Sequence, residues 1–341
     1  MNRKKQQNAI AVIKSYKIMM KYLTILLDDT SVAFCHVDNP YTTSKLIPID
    51  ILRKGIVFAM KENLSIQFVY PDYELPQEYT DLINTIDHID IKSAAHSLSA
   101  DIVVIDDINK LESYVRQANF DSTHVLRCTM DELLGSEAVI GEAVKVLNRI
   151  NVIITDVEDF TDLVIDRYRG FLDKLSGILY NEFIKGNQPQ INIITDRIFL
   201  ENANHCNAGV ESITLAPNGH FYICPAFYYD ESTQREYSSS AGDIERGIDI
   251  KNAHLLNLKY APICRICDAY QCKRCVWLNR KLTLEVNTPS HEQCVIAHLE
   301  RNASRELLHK MKTNGCIQSD IDIAEISYMD PFDKIINNQN S

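Results

Sequence analysis

The sequence predicts an α/β protein in which a parallel-sheet half is followed by a small cysteine-rich half built on a β-hairpin. Three observations carry that prediction. Short β-branched runs alternate with helical patterns over the first two hundred residues. An Asn218-Gly219 pair then separates two alternating segments. Seven of the ten cysteines fall between Cys206 and Cys294. Strand–helix alternation implies crossover connections and a parallel sheet, open or curled into a partial barrel. Asn-Gly between alternating runs is the strongest short hairpin signal.

In chain order, residues 1–21 read as an N-terminal extension, with Met19 or Met20 able to serve as the natural start. Arg3, Lys4 and Lys5 open it, but the apolar stretch that follows is broken by Lys14, Lys17 and Lys21. The expectation is therefore neither a signal peptide nor a membrane span. Residues 22–200 form the α/β half. Strands are predicted at "YLTILL" from Tyr22, "SIQFVY" from Ser65, "HIDIK" from His88, "DIVVI" from Asp101, "THVLR" from Thr123, "NVIIT" from Asn151 and "INIIT" from Ile191. Between them, "PIDILRKGIVFAMKEN" places Ile49, Leu52, Ile56, Val57 and Met60 on one helical face. "DFTDLVIDRYRGFLDKLSGILYNEFIK" is the longest helical pattern.

In such folds ligands bind at the carboxyl ends of the strands. Those ends carry Asp28, Asp29, Asp72, Asp106, Asp107, Asp156 and Asp196. They could ring a substrate mouth, or each could cap the helix that follows. No Gly-rich phosphate loop follows any predicted strand.

Composition narrows the function classes. The net charge of −11 argues against nucleic-acid binding, which needs clustered cations. With no export signal expected, the cytoplasm is the expected compartment, and thiols there stay reduced. Clustered cysteines then read as metal ligands.

The cysteine-rich half, residues 201–313, opens with "HCNAGVESITLAPNGHFYICPAFYYD". Pairing Pro217 with His220 would set Cys224 opposite Ile213, with Cys206 curling back toward it. The run Cys264-x2-Cys267-x4-Cys272-x2-Cys275 follows, and then Cys294. A zinc ribbon separates its two knuckles by more residues than the four found here. Close-set cysteines shared between neighbouring sites are instead the logic of two-cluster ferredoxins. Arg265, Lys273, Arg274, Arg280 and Lys281 add local positive charge, which suits a net-negative cluster. Ser290 and Gln293 have capping-box spacing and put Cys294 in a first helical turn, where the helix N-terminus favours thiolate. Residues 314–341 read as a C-terminal tail. Cys35, Cys128 and Cys316 read as ordinary small side chains.

Cys206, twelve residues, Gly219, four residues and Cys224, then the four-cysteine run and a final Cys294, resemble a SPASM domain. "CNAG", "CP" at Cys224-Pro225 and Gly242 add to the match. The run departs from the usual C-x2-C-x5-C-x3-C by one residue in each of its last two gaps. The resemblance implies two auxiliary [4Fe–4S] clusters. Cys264, Cys267, Cys272 and Cys294 would hold one, and Cys206, Cys224 and Cys275 the other. The second set has a fourth position open to His205, to Cys316 or to a substrate thiol. The resemblance also implies that residues 22–200 are a degenerate partial (β/α) barrel of the radical-SAM type, with a SPASM-like α+β domain after it. A radical-SAM site needs C-x3-C-x2-C, and "LLDDTSVAFCHVDNPYTT" offers Cys35 alone. S-adenosylmethionine binding is therefore not expected.

"LLDD", the lone Cys35, "CKRCVWLN" and "EVNTPSHEQC" resemble the CXXX-repeat peptide maturase family of bacterial peptide-modification systems. That resemblance implies a ribosomally made precursor peptide with regularly spaced cysteines as partner, with a radical-SAM enzyme or an electron donor as a further partner. The activity would be peptide maturation, with clusters serving electron transfer or thiol binding. A non-catalytic recognition or docking subunit with structural clusters, and a zinc-stabilised scaffold, remain the alternatives.

Overall fold

The computed structural model describes residues 20–96, 100–117, 121–200, 206–231, 239–267, 269, 272, 274–317 and 320–323. Most of the expected N-terminal extension, most of the C-terminal tail, His205 and Lys273 lie outside them. In chain order the elements are β1 (Tyr22–Leu26), α1 (Ile49–Glu62), β2 (Ser65–Val69), α2 (Gln77–Ile83), β3 (His88–Ser93) and β4 (Ile102–Ile105). Then come α3 (Leu111–Val115), β5 (Thr123–Cys128), α4 (Met130–Gly135), α5 (Glu137–Val146), β6 (Arg149–Ile154), α6 (Asp162–Ile184), β7 (Gln190–Ile191) and α7 (Asp196–Phe199). The remainder are β8 (Ser212–Leu215), β9 (His220–Tyr222), α8 (Pro225–Glu231), β10 (Ser240–Asp243), β11 (Gly247–Ile248), α9 (Val276–Thr283) and α10 (His291–Thr313). Strand–helix alternation is thus present, and the strands from β1 to β7 pair in parallel wherever their registers are given.

Two compact units make up the chain, and neither is a continuous stretch of sequence. Among the described residues, the first contains those within 1–33, 37–92 and 207–257, and the second those within 34–36, 93–206 and 258–341. The split follows from strand pairing. β8 pairs in parallel with β1, Tyr22 facing Ser212 and Ile25 facing Leu215. The hairpin of the cysteine-rich half therefore extends the sheet of the first half, in the order β11-β10-β9-β8-β1-β2-β3. Leu23, Ile25, Phe68, Ile213, Leu215 and Phe221 fill the core of this unit.

Three local expectations are corrected. Along α1 the buried stripe is Leu52, Gly55, Ile56 and Ala59, while Val57 and Met60 face solvent. A Cβ on Gly55 would stand 2.6 Å from Leu215 Cδ2, so the helix seats its small residues on the sheet and turns Val57 and Met60 outward. The hairpin register is shifted by one from the Pro217–His220 pairing, with Leu215 facing Phe221 and Thr214 facing Tyr222. Gly219 takes φ +81°, which closes a longer loop than the two-residue one expected. "INIIT" does not continue as a strand beyond Ile191. Asn192 turns inward instead, its amide donating to Val152 O and accepting from Val152 N, and Thr195 Oγ1 donates to Ile191 O.

In the second unit β4, β5, β6 and β7 follow one another in register. The long α6 packs on α10. Within this unit His124 is fully buried, 3.1 Å from Tyr114 Oη and 3.3 Å from Arg149 O. Burial lowers its pKa. The stabilising contribution of neutral His124 is therefore complete above the unfolded value near 6.5 and is lost as pH falls through the folded value, because only the unfolded chain takes up the proton. We expect urea midpoints of the wild type to decline from pH 7.5 to pH 5.5 more steeply than those of His124→Gln. Parallel slopes would contradict this assignment.

Candidate metal centre

The second unit gathers most of the cysteine-rich motif. All ten cysteines are thiols. Cys264, Cys267 and Cys272 lie close enough together for their charges to act on one another. The motif is too short for regular structure: Cys264 opens a single 3₁₀ turn, and the Cys272 N–H returns to Ala269 O. Cys267 Sγ accepts from Ala269 N at 3.4 Å and lies 3.5 Å from His298 Nε2. His298 is on α10, four residues after Cys294 and hence on the same helical face. Cys294 is buried in the first turn, where Ser290 Oγ accepts from Gln293 N. The capping box is half made: the Gln293 amide donates to Asn279 Oδ1 instead of returning to the cap.

A second group forms around Cys275, the N-cap of α9, whose Sγ accepts from Leu278 N at 3.4 Å. Cys206 and Cys35 are both near enough for their charges to bear on Cys275. Cys206 is exposed, whereas Cys35 and Cys275 are half-buried. Cys224 belongs to the first unit and precedes α8, with Phe227 N donating to its carbonyl. Cys316 lies beyond the C-terminal end of α10, and Cys128 is buried at the end of β5.

Burial pushes the Cys264 thiol up to about 11 and the Cys272 and Cys275 thiols up to about 12. Without a compensating cation these groups stay protonated at neutral pH, so any metal they hold must displace protons. One cation is built in. Arg274 is buried, and its charge acts on Cys264, Cys272, Cys206 and Cys275. Burial lowers its pKa and those four sulfurs raise it. A buried guanidinium is costly unless negative charge is paired with it, which thiolates among those four would supply. Among the described residues, no three His, Cys, Asp or Glu side chains converge as closely as one metal ion requires. Thiols around a four-iron cubane each bond a different iron and stand farther apart than ligands of one ion. The buried Arg274, acting on thiols of both groups, is the feature here that suits a net-negative cluster.

Beneath Cys272 runs a buried polar network that the linear motifs do not reveal. Arg197, fully buried on α7, donates to Ile193 O at 3.0 Å and to Glu300 Oε2 at 3.1 Å. Tyr168 Oη of α6 donates to Glu300 Oε1 at 2.9 Å, and Ser304 Oγ of α10 donates to Ile194 O at 2.7 Å. Arg197 and Glu300 are both close enough to act on Cys272. Polar residues at core positions of otherwise apolar helices were the available signal. His298 also stands at the site without a role expected for it; its i+4 spacing from Cys294 was the signal.

The strand-end acids serve local structure where their contacts are defined. Asp107 accepts from Asn109 N, Asp156 accepts from Met130 N at the start of α4, and Asp196 pairs with Arg149 at 3.0 Å. Asp106 and Asp107 line a cleft of about 150 Å³ with Ala94, Ala95 and Lys110. Asp28 accepts from Thr30 N, Thr30 Oγ1, Ser44 Oγ and Tyr73 Oη at 2.6–2.9 Å. Burial pushes its pKa up, but these hydrogen bonds outweigh burial and hold it low. Asp29 accepts from the buried Tyr228 at 2.5 Å.

The fold is similar to solved structures of anSMEcpe, an anaerobic sulfatase-maturating radical-SAM enzyme with a SPASM domain. One, a histidine-tagged form with bound AdoMet, aligns with TM-score 0.59 at 13% identity over 88% of this chain and 96% of that one. A second, with bound AdoMet and Kp18Cys peptide, gives 0.59 at 12% identity over 86% and 99%. A third, with AdoMet and Cp18Cys peptide, gives 0.57 at 13% identity over 86% and 99%. No family model and no curated protein matches the sequence. No helix among the described residues is long and apolar enough to cross a membrane.

Removing Glu300 would leave Arg197 buried without its carboxylate. Glu300→Ala should therefore destabilise the chain by about 3–5 kcal/mol, and Tyr168→Phe by about 1.5–3 kcal/mol. Guanidinium unfolding would reveal this. Equal, sub-kilocalorie losses would show that the network does not hold α6, α7 and α10 together. The chain thus has a mixed α/β fold similar to that of anSMEcpe, with a buried arginine whose charge acts on four thiols of the cysteine-rich motif.

Proposed function

We propose that this chain is an iron–sulfur protein acting in the maturation of a ribosomally made cysteine-repeat peptide. Cys264, Cys267, Cys272 and Cys294 would hold one [4Fe–4S] cluster, and Cys206 and Cys275 the other, with Cys224 as the SPASM resemblance assigns it. The observation that carries this reading is the buried Arg274, on which sulfurs of both groups act. A cation there offsets the net negative charge of thiolate-bound clusters. His298, 3.5 Å from Cys267 Sγ, can donate to a thiolate at that position and so raise the cluster potential. Bound clusters would supply one-electron transfer, and the residues named here set their potential and enclose them. The likeness in fold to a maturase solved with bound cysteine peptides supports a peptide partner.

The loop after β1 favours a division of labour with a partner enzyme. It carries Cys35 as its one thiol, and Asp28 and Asp29 are engaged within the first unit by Thr30, Ser44, Tyr73 and Tyr228. Three close thiolates are needed there to chelate S-adenosylmethionine on a cluster. This chain alone should therefore yield no 5′-deoxyadenosine when S-adenosylmethionine and dithionite are added. Iron-dependent product would show that it generates the radical itself. A recognition or docking subunit with structural clusters is the second reading, and it is distinguished by peptide turnover that needs the partner but not cluster reduction.

Anaerobic reconstitution tests the central claim. We expect about eight irons with matching labile sulfide per chain, and roughly half of that in Cys267→Ser. Stoichiometric zinc without sulfide would replace this reading with the zinc scaffold. In His298→Ala the iron content should persist while the reduction potential of one cluster falls.

A further inference from the structure

Two buried polar atoms of the second unit stand beside one lysine and have no hydrogen-bond partner among the described residues. The first is Nε1 of Trp277 on α9, the only tryptophan of the chain, whose side chain is 4% exposed. The second is Oε2 of Glu158, in the turn Val157–Asp159 that follows β6. Lys281 lies four residues after Trp277, on the same face of α9. Its Nζ is 5.2 Å from the centre of the Trp277 ring and pairs with Glu158 Oε1. All three residues belong to the second unit. The turn that carries Glu158 is at the carboxyl end of a parallel strand, the end where ligands bind in such sheets.

The two atoms have opposite polarity. An indole N–H only donates, and the oxygen of an ion-paired carboxylate only accepts. Buried polar groups are ordinarily satisfied by protein, ligand or ordered water. One ligand that satisfies both atoms must offer an acceptor and a donor together. A carboxylate would meet Glu158 with like charge, and an ammonium would leave the indole N–H unpaired. A peptide main chain offers both groups, because one residue of an extended strand turns its N–H and its C=O to the same edge. Access runs beside Lys281, which is exposed and whose stem is flexible.

We propose that Trp277 Nε1 and Glu158 Oε2 form a main-chain subsite for an extended peptide. The indole donates to a backbone carbonyl, and the carboxylate accepts from the N–H of the same residue. Lys281 holds the carboxylate in place. This rests on the peptide-partner reading above and deepens it. Recognition through the main chain does not read side chains, so successive repeats of a cysteine-repeat peptide can occupy the subsite in turn.

Two probes test this on the anaerobically reconstituted full chain: an acetylated, amidated peptide with cysteine at every fourth residue and alanine between, and the same peptide N-methylated throughout its main chain. In calorimetry the N-methylated peptide should bind at least about tenfold more weakly, because it has no N–H for Glu158. Glu158→Ala should weaken the plain peptide by about tenfold or more and leave the N-methylated one unchanged, a pattern that general loss of structure does not give. Trp277→Phe should weaken both peptides by about two- to tenfold. In wild type, the emission of Trp277 should shift saturably with the plain peptide, a measurement that needs no variant to fold. Equal affinity for the two peptides would overturn the proposal. So would a bound peptide that leaves Trp277 emission unmoved, which would assign the two atoms to an ordered water only. Wild type that binds neither peptide would overturn the proposal together with the peptide-partner reading, whereas iron and sulfide content judges the cluster reading separately.

Discussion

The Arg197–Glu300 ion pair is the interaction on which the second unit depends. Arg197 has no solvent exposure and Glu300 is nearly as enclosed. Two buried charges are costly to desolvate, and they are tolerated only when geometry and additional hydrogen bonds satisfy them. Ile193 O, Ala297 O and Tyr168 Oη supply those bonds. The result is a fixed crossing of α6, α7 and α10. Because α10 also carries Cys294 and His298, the same pair sets where the thiol-bearing loop can rest.

That loop has little structure of its own. From Cys264 to Cys275 its described residues offer one 3₁₀ turn and a few sulfur-directed N–H groups before α9 begins. Its thiols are pushed upward by burial, which disfavours the charged form. Arg274 opposes that tendency from within the loop. A metal held there, as proposed, would have to displace protons from these thiols, so its loading would depend on pH.

The first unit solves a different problem with similar economy. β8 lies beside β1, so the hairpin edge is absorbed into a larger sheet. Gly242 shows how tightly the outer strands are joined: a Cβ there would stand 2.1 Å from Gly247 O, and its φ of +115° excludes other residues. At the carboxyl end of β1 the acids Asp28 and Asp29 are consumed by hydrogen bonds from neighbouring loops and from Tyr228. This end of the sheet is organised by internal contacts.

By itself the sequence determined the alternation of strands and helices, the hairpin at Asn218-Gly219 and the concentration of cysteines, because period, turn chemistry and thiol spacing are local properties. Six of the seven expected strands are found along their predicted stretches, and Cys294 sits in a first helical turn as the Ser290 cap implies. Tertiary structure decided the rest. It ended "INIIT" at Ile191, where the Asn192 amide turns onto Val152 O and N and Thr195 Oγ1 donates to Ile191 O. It set the helix face at Gly55, where close approach to Leu215 outweighs the bulk of Val57 and Met60. It paired β8 with β1 across nearly two hundred residues, a contact no local pattern encodes. It also drew Cys35 and His36 into the second unit, where Arg127 Nε donates to Cys35 O and Ile154 O meets the His36 ring from strands far along the chain.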